Sequence, residues 1–230
     1  MKPTDLALFR AYGRPVVAPE GDVFAALSTP DLDADSYRSV LQRLRDGRPP
    51  EDFTHGPRDS APVLSPDGET LVFLRAGESG PAQPYAMPRR GGEPRRLAEH
   101  PLGASAVTFS PDGRSIAYLA AVPEPGRYGT PAADGPEPGA ANPAPDKAKT
   151  GADAAKTGAD AAKTGGTKPA PEAEPPRRIT TMSYRSDGKG FVLDKPEQVF
   201  LLSLDAEGDD SKPRQLTAEP GTIGRPAFTP

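Results

Sequence analysis

The chain of 230 residues contains no cysteine and no tryptophan, and it has only two histidines. The lack of cysteine excludes disulfides, cysteine-ligated zinc sites and a cysteine nucleophile. No segment has the roughly 18 consecutive apolar residues that a membrane-spanning helix needs, and no apolar signal-peptide core is visible near the N-terminus. The 28 basic and 32 acidic residues give a net charge of −4, which argues against binding nucleic acid or membranes by charge alone. We therefore expect a cytoplasmic protein with neither of these partners.

Apolar side chains are missing altogether from residues 131–176, which contain no Val, Ile, Leu, Met or aromatic residue. Within this segment the heptad KTGADAA occurs twice in succession, at 149–155 and 156–162. Such a segment cannot offset the roughly 1–2 kcal/mol per residue that backbone ordering costs, and the heptad has nothing to bury at coiled-coil positions a and d. The composition predicts a disordered insertion, with a functional Pro/Ala-rich spacer as the alternative.

What the chain does contain is an internal repeat. The segment SPDGETLVFL begins at residue 65 and SPDGRSIAYL begins at residue 110, which is 45 residues later. A weaker copy, APEGDVFAAL, begins at residue 18. A period of about 45 residues made of strand-like segments is typical of the blades of a β-propeller.

A second alignment places the last residues of the chain inside a repeat. Residues 93–111 and 212–230 align without a gap, so that Pro230 corresponds to Pro111 and the next residues are expected to be Asp-Gly. The sequence therefore predicts an all-β fold: a partial β-propeller of about three blades plus the first strand of a fourth. Closed propellers typically have four to eight blades, so about three blades are too few to close a ring.

The two strongest copies share a Pro-Asp-Gly turn, in which proline fixes φ near −65°, aspartate bonds locally and glycine accepts the left-handed conformation. The predicted structural turn residues are Pro66, Asp67, Gly68, Pro111, Asp112 and Gly113. Each turn is followed by a nearly continuous apolar run, 71–74 or 116–119, which is typical of a strand covered on both faces.

The remaining strands are predicted from short extended segments between turn residues. In the second blade they cover 60–66, 70–76, 82–88 and 93–98; in the first blade 36–44 and 51–55; and the third blade opens at 105–121. Pro84 places the third strand of the second blade near an edge. An amphipathic helix is the competing hypothesis for 36–46, and residues 4–9 favour a short helical turn.

These predictions divide the chain into four parts. They are an N-terminal extension at 1–13, blades 1 and 2 and the start of blade 3 at 14–130, the disordered insertion at 131–176, and the rest of blade 3 with the first strand of blade 4 at 177–230.

Few residues are candidates for chemistry. The nucleophile pattern Gly-x-Ser-x-Gly is missed by both GESGP at 77–81 and GASAV at 103–107. His55 and His100 are expected to be solvated loop residues rather than catalytic bases. The arginines of PRRGGEPRR at 88–96 fit a charged hairpin at a blade rim better than a phosphate site. We therefore expect no catalytic residue and no cofactor. We also expect no metal, because the acidic residues do not alternate as in a calcium loop.

Several stretches together resemble a known family. The segment from SPDGETLVFL to SPDGRSIAYL, together with PDLDADSYRS at 30–39 and RRITTMSYRSDGKGF at 177–191, is similar to the N-terminal propeller of bacterial prolyl oligopeptidase-family serine peptidases. The nearest branch is that of dipeptidyl aminopeptidases and acylaminoacyl peptidases. The resemblance covers the chain except for the insertion.

The resemblance implies a seven-bladed propeller that restricts access to a Ser-Asp-His triad in a C-terminal α/β-hydrolase domain. That domain and about half of the propeller are not found in this sequence, so no triad residue is assigned here. The implied function is the substrate-selecting portion of a peptidase that cleaves short peptides, with the peptides as partners of the missing domain. The alternatives are a WD-like or Tol-type binding module and an inactive gene fragment. We also expect poor solubility and self-association through exposed blade edges.

Overall fold

The computed structural model describes residues 3–78, 80–130, 176–179, 181–187, 190–205, 212–218 and 223–229. Apart from Pro176, the predicted disordered insertion lies outside the described residues. The described residues form one short 3-10 helix, Pro3–Leu8, together with β-strands, and none of them is in an α-helix. The strands are β1 (Ala11–Tyr12), β2 (Val16–Val17), β3 (Val23–Asp31), β4 (Ser36–Leu44), β5 (Glu51–Asp52), β6 (Arg58–Leu64), β7 (Thr70–Ala76), β8 (Gln83–Pro88), β9 (Arg95–Arg96), β10 (Ala104–Phe109), β11 (Ser115–Ala121), β12 (Arg185–Ser186), β13 (Gly190–Phe191), β14 (Glu197–Ser203) and β15 (Arg214–Gln215).

The strands form three successive blades of antiparallel sheet. Blade 1 consists of β1 to β5, blade 2 of β6 to β9, and blade 3 of β10, β11, β14 and β15 in that spatial order. A single parallel bridge between Ser39 and Arg58 joins the sheets of blades 1 and 2. This arrangement confirms the predicted all-β partial propeller.

Blade 1 decides between the two hypotheses for residues 36–46. Residues 36–44 are strand β4, which pairs with β3 over nine residues, from Val23 opposite Leu44 to Asp31 opposite Ser36. The helix alternative is therefore wrong. The apolar spacing fitted both structures, but β3 supplies a complete row of backbone partners that makes the strand form favourable.

The second strand of blade 2 is buried on both faces, as its sequence predicted. From β7, Leu71 and Phe73 pack into a cluster with Phe24 and Leu41 of blade 1. The alternate residues Val72 and Leu74 pack into a second cluster with Tyr118 and Phe200 of blade 3. Blade 2 thus packs against both of its neighbours through the two faces of β7.

The first strand of each blade is called its inner strand. In blades 2 and 3 the inner strands, β6 and β10, each contain a bulge that was not predicted from the sequence. The pairing of β6 with β7 shifts between Ser60 and Val63, and that of β10 with β11 shifts between Ser105 and Thr108. Ala61 and Ala106 lie in these bulges with φ of 49° and 51°. The bulge is therefore part of the repeat, and it bends each inner strand at the same point.

The two ends of the described chain differ from the domain predictions in detail. Ala11 and Tyr12, within the predicted N-terminal extension, pair with β3 opposite Ser28 and Leu27. At the other end residues 223–229 form no strand. An inner strand needs the second strand of its own blade as a partner, and the described residues provide none for this segment.

Candidate functional site

The predicted turn residues form two almost identical hydrogen-bond networks. In blade 2, Ser65 Oγ donates to Asp67 Oδ1 at 2.5 Å, and the same oxygen accepts from Glu69 N at 3.0 Å. Gly68 has φ of 75° and its N–H donates to the Ser65 carbonyl. Pro66 starts the turn.

The network recurs in blade 3. Ser110 Oγ donates to Asp112 Oδ1 at 2.5 Å, Arg114 N donates to the same oxygen at 3.1 Å, and Gly113 has φ of 73° after Pro111. The two serines are members of the turn that sequence reasoning missed, although the repeated Ser-Pro-Asp-Gly contained the signal.

Hydrogen bonding lowers the pKa of both turn aspartates. For Asp67 the backbone N–H of Glu69 is the main cause, and for Asp112 it is the Ser110 hydroxyl. Both aspartates are exposed. Their local bonds account for the shift, so they are structural turn residues rather than acid–base groups.

The turns also hold successive blades in register. A Cβ on Gly68 would lie 2.7 Å from Pro19 Cδ, and a Cβ on Gly113 would lie 3.3 Å from Pro66 Cδ. The turn proline of each blade therefore packs against the turn glycine of the next. This contact aligns the inner strands at one end of the propeller.

The inner strands line an open cleft of about 460 Å³. Val16, Val63, Thr108 and Ala227 all line it, and they take the same place in four successive repeats. Arg225 Nη2 reaches the Val107 carbonyl at 3.3 Å. Residues 225–228 thus lie where the first strand of blade 4 was predicted, although they lack strand hydrogen bonds, and the cleft is the axis of the partial propeller.

The two histidines differ in their surroundings. His55 is exposed, as predicted. His100 is not a solvated loop residue: its ring contacts the rings of Tyr118 and Phe200, at 5.5 and 4.6 Å between centroids, and its Nε2 lies 2.9 Å from Tyr118 Oη. Burial lowers the pKa of His100 and raises that of Tyr118.

The prediction for His100 failed because the connection between blades 2 and 3 is packed under Phe200, which is 100 residues distant in sequence. Gln83 fastens this connection from the other side, since it donates Nε2–H to the His100 carbonyl and accepts from its backbone N–H. His100 is thus a fixed part of the interface between two blades.

The other candidate groups are engaged in contacts within the fold. Ser105 lies on β10, where its Oγ is 3.5 Å from Glu197 Oε1. Arg89 pairs with Glu20 of blade 1, and Arg90 with Glu69. These pairs agree with the charged hairpin predicted at the rim. Within the described ranges, no group of three or more His, Cys, Asp or Glu side chains is arranged to hold a metal ion.

At the opposite end of blade 3 lies a further cluster, which we call the insertion module: residues 123–130, 176–179, 181–187 and 190–196. It interrupts the hairpin of β11 and β14, and hydrogen bonds from Val122 N to the Pro196 carbonyl and from Glu124 N to the Asp194 carbonyl bring its two ends together. Because strand direction alternates, the module lies at the end of the propeller away from the Pro-Asp-Gly turns.

Asp194 is the centre of the insertion module. Its buried carboxylate accepts from Arg177 Nε at 2.6 Å and from Tyr128 Oη at 2.9 Å, with Arg127 Nε 3.8 Å away. Burial alone would raise the pKa of Asp194, but the bonds from Arg177 and Tyr128 outweigh it and lower the pKa. The group is therefore a buried anion held by cations, and sequence reasoning did not find it.

The described residues include no helix that is long and apolar enough to span a membrane.

Comparisons with known proteins agree with this architecture. No model of a protein family matches the chain. An uncharacterized peptidase of Bacillus subtilis, YuxL, is 29% identical over 231 aligned residues, which cover 98% of this chain and 29% of that protein. The chain is homologous to this part of the relative.

Two solved structures of archaeal proteins are similar to the chain. Acylaminoacyl peptidase of Pyrococcus horikoshii has a TM-score of 0.51 at 14% identity, over 91% of this chain and 25% of that one. The β-propeller domain of the trilobed protease of Pyrococcus furiosus has a TM-score of 0.40 at 18% identity, over 50% and 35% of the two chains. The first likeness shows a shared fold. The chain spans about a quarter of the matched acylaminoacyl peptidase and less than a third of the curated relative.

Proposed function

We propose that this chain is the substrate-selecting portion of the propeller of a serine peptidase that cleaves short peptides. The chemistry is assigned to an α/β-hydrolase domain outside these 230 residues. The homology to part of a curated peptidase supports the proposal. So does the all-β character of the described residues, which offer turns, inter-blade contacts and a cleft instead of a nucleophile beside a base.

The observation that carries the proposal is the cleft around the propeller axis. Equivalent residues of four repeats line it, together with their chain neighbours and residues of the Pro-Asp-Gly turns. In a closed ring this cleft would become a passage bounded by inner strands on every side. Such a passage admits an extended peptide and rejects a folded protein, which is the selection a peptidase needs when its substrates are short.

The proposal is tested on the natural gene product. Antibodies raised against this chain are used to isolate it from its cells, and the product is treated with a fluorophosphonate that labels activated serines. We expect a labelled protein larger than 24.1 kDa, the mass of this chain, that hydrolyses short peptide anilides and not folded proteins. The 230-residue chain serves as the control and should be neither labelled nor active.

An unlabelled product without peptidase activity would contradict the proposal. A binding module or an inactive fragment would then be the better description.

A further inference from the structure

The insertion module contains a small cavity of about 60 Å³ with an uneven charge. Arg127, Arg177 and Arg178 line it together with the two carboxylates of Glu124 and Asp194. Three guanidinium groups thus face two carboxylates, so the lining has a surplus of one positive charge.

Two of the three arginines are committed to the fold. Arg177 donates to Asp194, and its guanidinium carbon lies 4.6 Å from the centroid of the Phe191 ring. Arg127 is almost fully buried and bonds Glu124 Oε2 and the Pro176 carbonyl. Arg178 is exposed and makes no hydrogen bond or ion pair with the residues that the structure describes. The surplus charge therefore resides on Arg178.

The backbone of the module is strained where it meets this cluster. Tyr128 has φ of 52°, which is uncommon for an aromatic residue, and its hydroxyl is fixed on Asp194. Lys195 Nζ lies 5.1 Å from the centroid of the Tyr128 ring. Strain of this kind is retained where the surroundings over-determine a conformation, as they do at ligand sites.

Apolar side chains complete the entrance. Ile179 and Leu193 line the cavity beside Arg178 and are about half exposed, at 53% and 47%. An exposed apolar pair next to an unpaired cation suits a ligand that has one negative charge on a short apolar stem. The surplus of one positive charge matches the single negative charge of a carboxylate, which a guanidinium can bind through two parallel hydrogen bonds.

We propose that this cavity binds a carboxylate of a peptide, with Arg178 as its ion-pair partner and Ile179 and Leu193 against the adjoining side chain. That the ligand is a peptide rests on the proposed function, whereas its carboxylate chemistry rests only on the module. The carboxylate comes either from the C-terminus or from an acidic side chain.

The test measures the binding of labelled tetrapeptides to the 230-residue chain by fluorescence polarisation. Ala-Ala-Leu-Ala is used with a free and with an amidated C-terminus. Two further amidated peptides contain Asp or Asn before the last residue. We expect the peptides with a carboxylate to bind, and Arg178→Gln to weaken them about tenfold or more, since charge-assisted hydrogen bonds contribute most per contact. The control Arg90→Gln removes the same charge at the opposite end of the propeller and should leave binding unchanged. Far-UV circular dichroism verifies that both variants keep the sheet.

Binding of only the free C-terminus, or of the Asp peptide as well, identifies the source of the carboxylate, and either result supports the site. Equal binding by the amidated Asn peptide, by the Arg178→Gln variant, or no binding at all would overturn it. N-acetyl-leucine is a competitor without a peptide chain. If the peptidase proposal fails and the site is real, this compound still binds in an Arg178-dependent way, so the two failures are distinguishable.

Discussion

Blades 2 and 3 have the same strands and turns 45 residues apart, yet they hold the first and second strands together by different side chains. In blade 2, Asp59 of β6 is fully buried and accepts two hydrogen bonds from Arg75 of β7, at 2.7 and 2.8 Å. In blade 3 the corresponding cross-strand pair is Ala104 and Ala120. Both charged residues are exchanged together.

The third and fourth strands show a second exchange of this kind. In blade 3 the backbone N–H of Val199 donates to Thr217 Oγ1 at 2.9 Å, and in blade 1 the N–H of Leu41 donates to Thr54 Oγ1 at the same distance. In blade 2 the residue at the third-strand position is Pro84, which has no N–H, and Ala98 stands in place of the threonine.

Pro84 still accepts a hydrogen bond from Leu97 N at 2.8 Å, as Leu41 and Val199 accept from Phe53 and Leu216. The missing donor thus faces the side of the short outer strand β9. Strand β8 itself is paired on both sides, with β7 and β9, so Pro84 lies next to the edge strand and not on it. The comparison teaches that the repeat tolerates loss of a buried interaction when both partners are lost, because one partner alone would remain unsatisfied.

The largest effect is expected from breaking the ion pair of blade 2 on one side. Asp59→Ala leaves the guanidinium of Arg75 without its carboxylate, and removal of one member of a buried pair costs about 3–5 kcal/mol of unfolding free energy. Urea unfolding followed by circular dichroism, at a protein concentration low enough to prevent self-association, measures the loss. The double variant Asp59→Ala/Arg75→Ala copies blade 3 and should recover most of it, although the contacts of Arg75 with the Phe73 and Tyr85 rings are also removed. A double variant no more stable than the single one would refute paired exchange.

A smaller loss is expected when Pro84 is replaced by valine. The new N–H would be buried opposite Ala98 without an acceptor, which costs about 1–3 kcal/mol. Adding Ala98→Thr recreates the pair of Val199 and Thr217, so the double variant should be more stable than Pro84→Val in the same urea titration. Thr54→Ala in blade 1 is the converse change and should cost a similar amount. If Ala98→Thr gives no rescue, the threonine is not the acceptor that matters.

The two turn glycines allow a finer comparison of the same blades. Alanine at Gly68 or Gly113 is strained by roughly 1–2 kcal/mol because φ is positive. At Gly68 the added Cβ would also lie 2.7 Å from Pro19, against 3.3 Å from Pro66 at Gly113. Gly68→Ala should therefore lower the thermal midpoint more than Gly113→Ala. Equal shifts would mean that Pro19 moves aside and that the inter-blade contact is loose.

The smallest effect concerns pH at the interface of blades 2 and 3. The pKa of His100 is lowered from 6.5 by burial, so the unfolded chain binds more protons than the folded one once the pH falls below that value. Stability supplied by the neutral ring is present above about pH 6.5 and decreases as the pH falls through the lowered pKa. Unfolding at pH 7.5 and 5.5 should show a smaller decrease for His100→Gln than for the parent chain. An equal decrease in both chains would contradict a contribution of the neutral His100 ring.

Much of the fold was predictable because the blades repeat and each repeat carries the same turn residues and the same apolar strand pattern. Strands β4 and β7 begin and end at the predicted residues, and both Pro-Asp-Gly turns have the expected positive φ at glycine. The bulges at Ala61 and Ala106 were not predictable, since alanine has no preference for the left-handed region and only the strand register requires it there.

The candidate sites were less accessible from sequence. His100 has ordinary loop neighbours, and its buried environment comes from Phe200 in another blade. Asp194 and Tyr128 are 66 residues apart, on either side of the predicted insertion. No local sequence pattern predicts that these two side chains form a hydrogen bond.

The sequence by itself determined the period, the turns and which strands are apolar on both faces, because these are written in the residue pattern of each repeat. The tertiary structure alone decided which side chains meet between blades: Pro19 with Gly68, His100 with Phe200, and Arg177 with Asp194. Such contacts depend on the twist and stacking of successive sheets, which bring together residues whose positions in the sequence do not indicate that they are close in space.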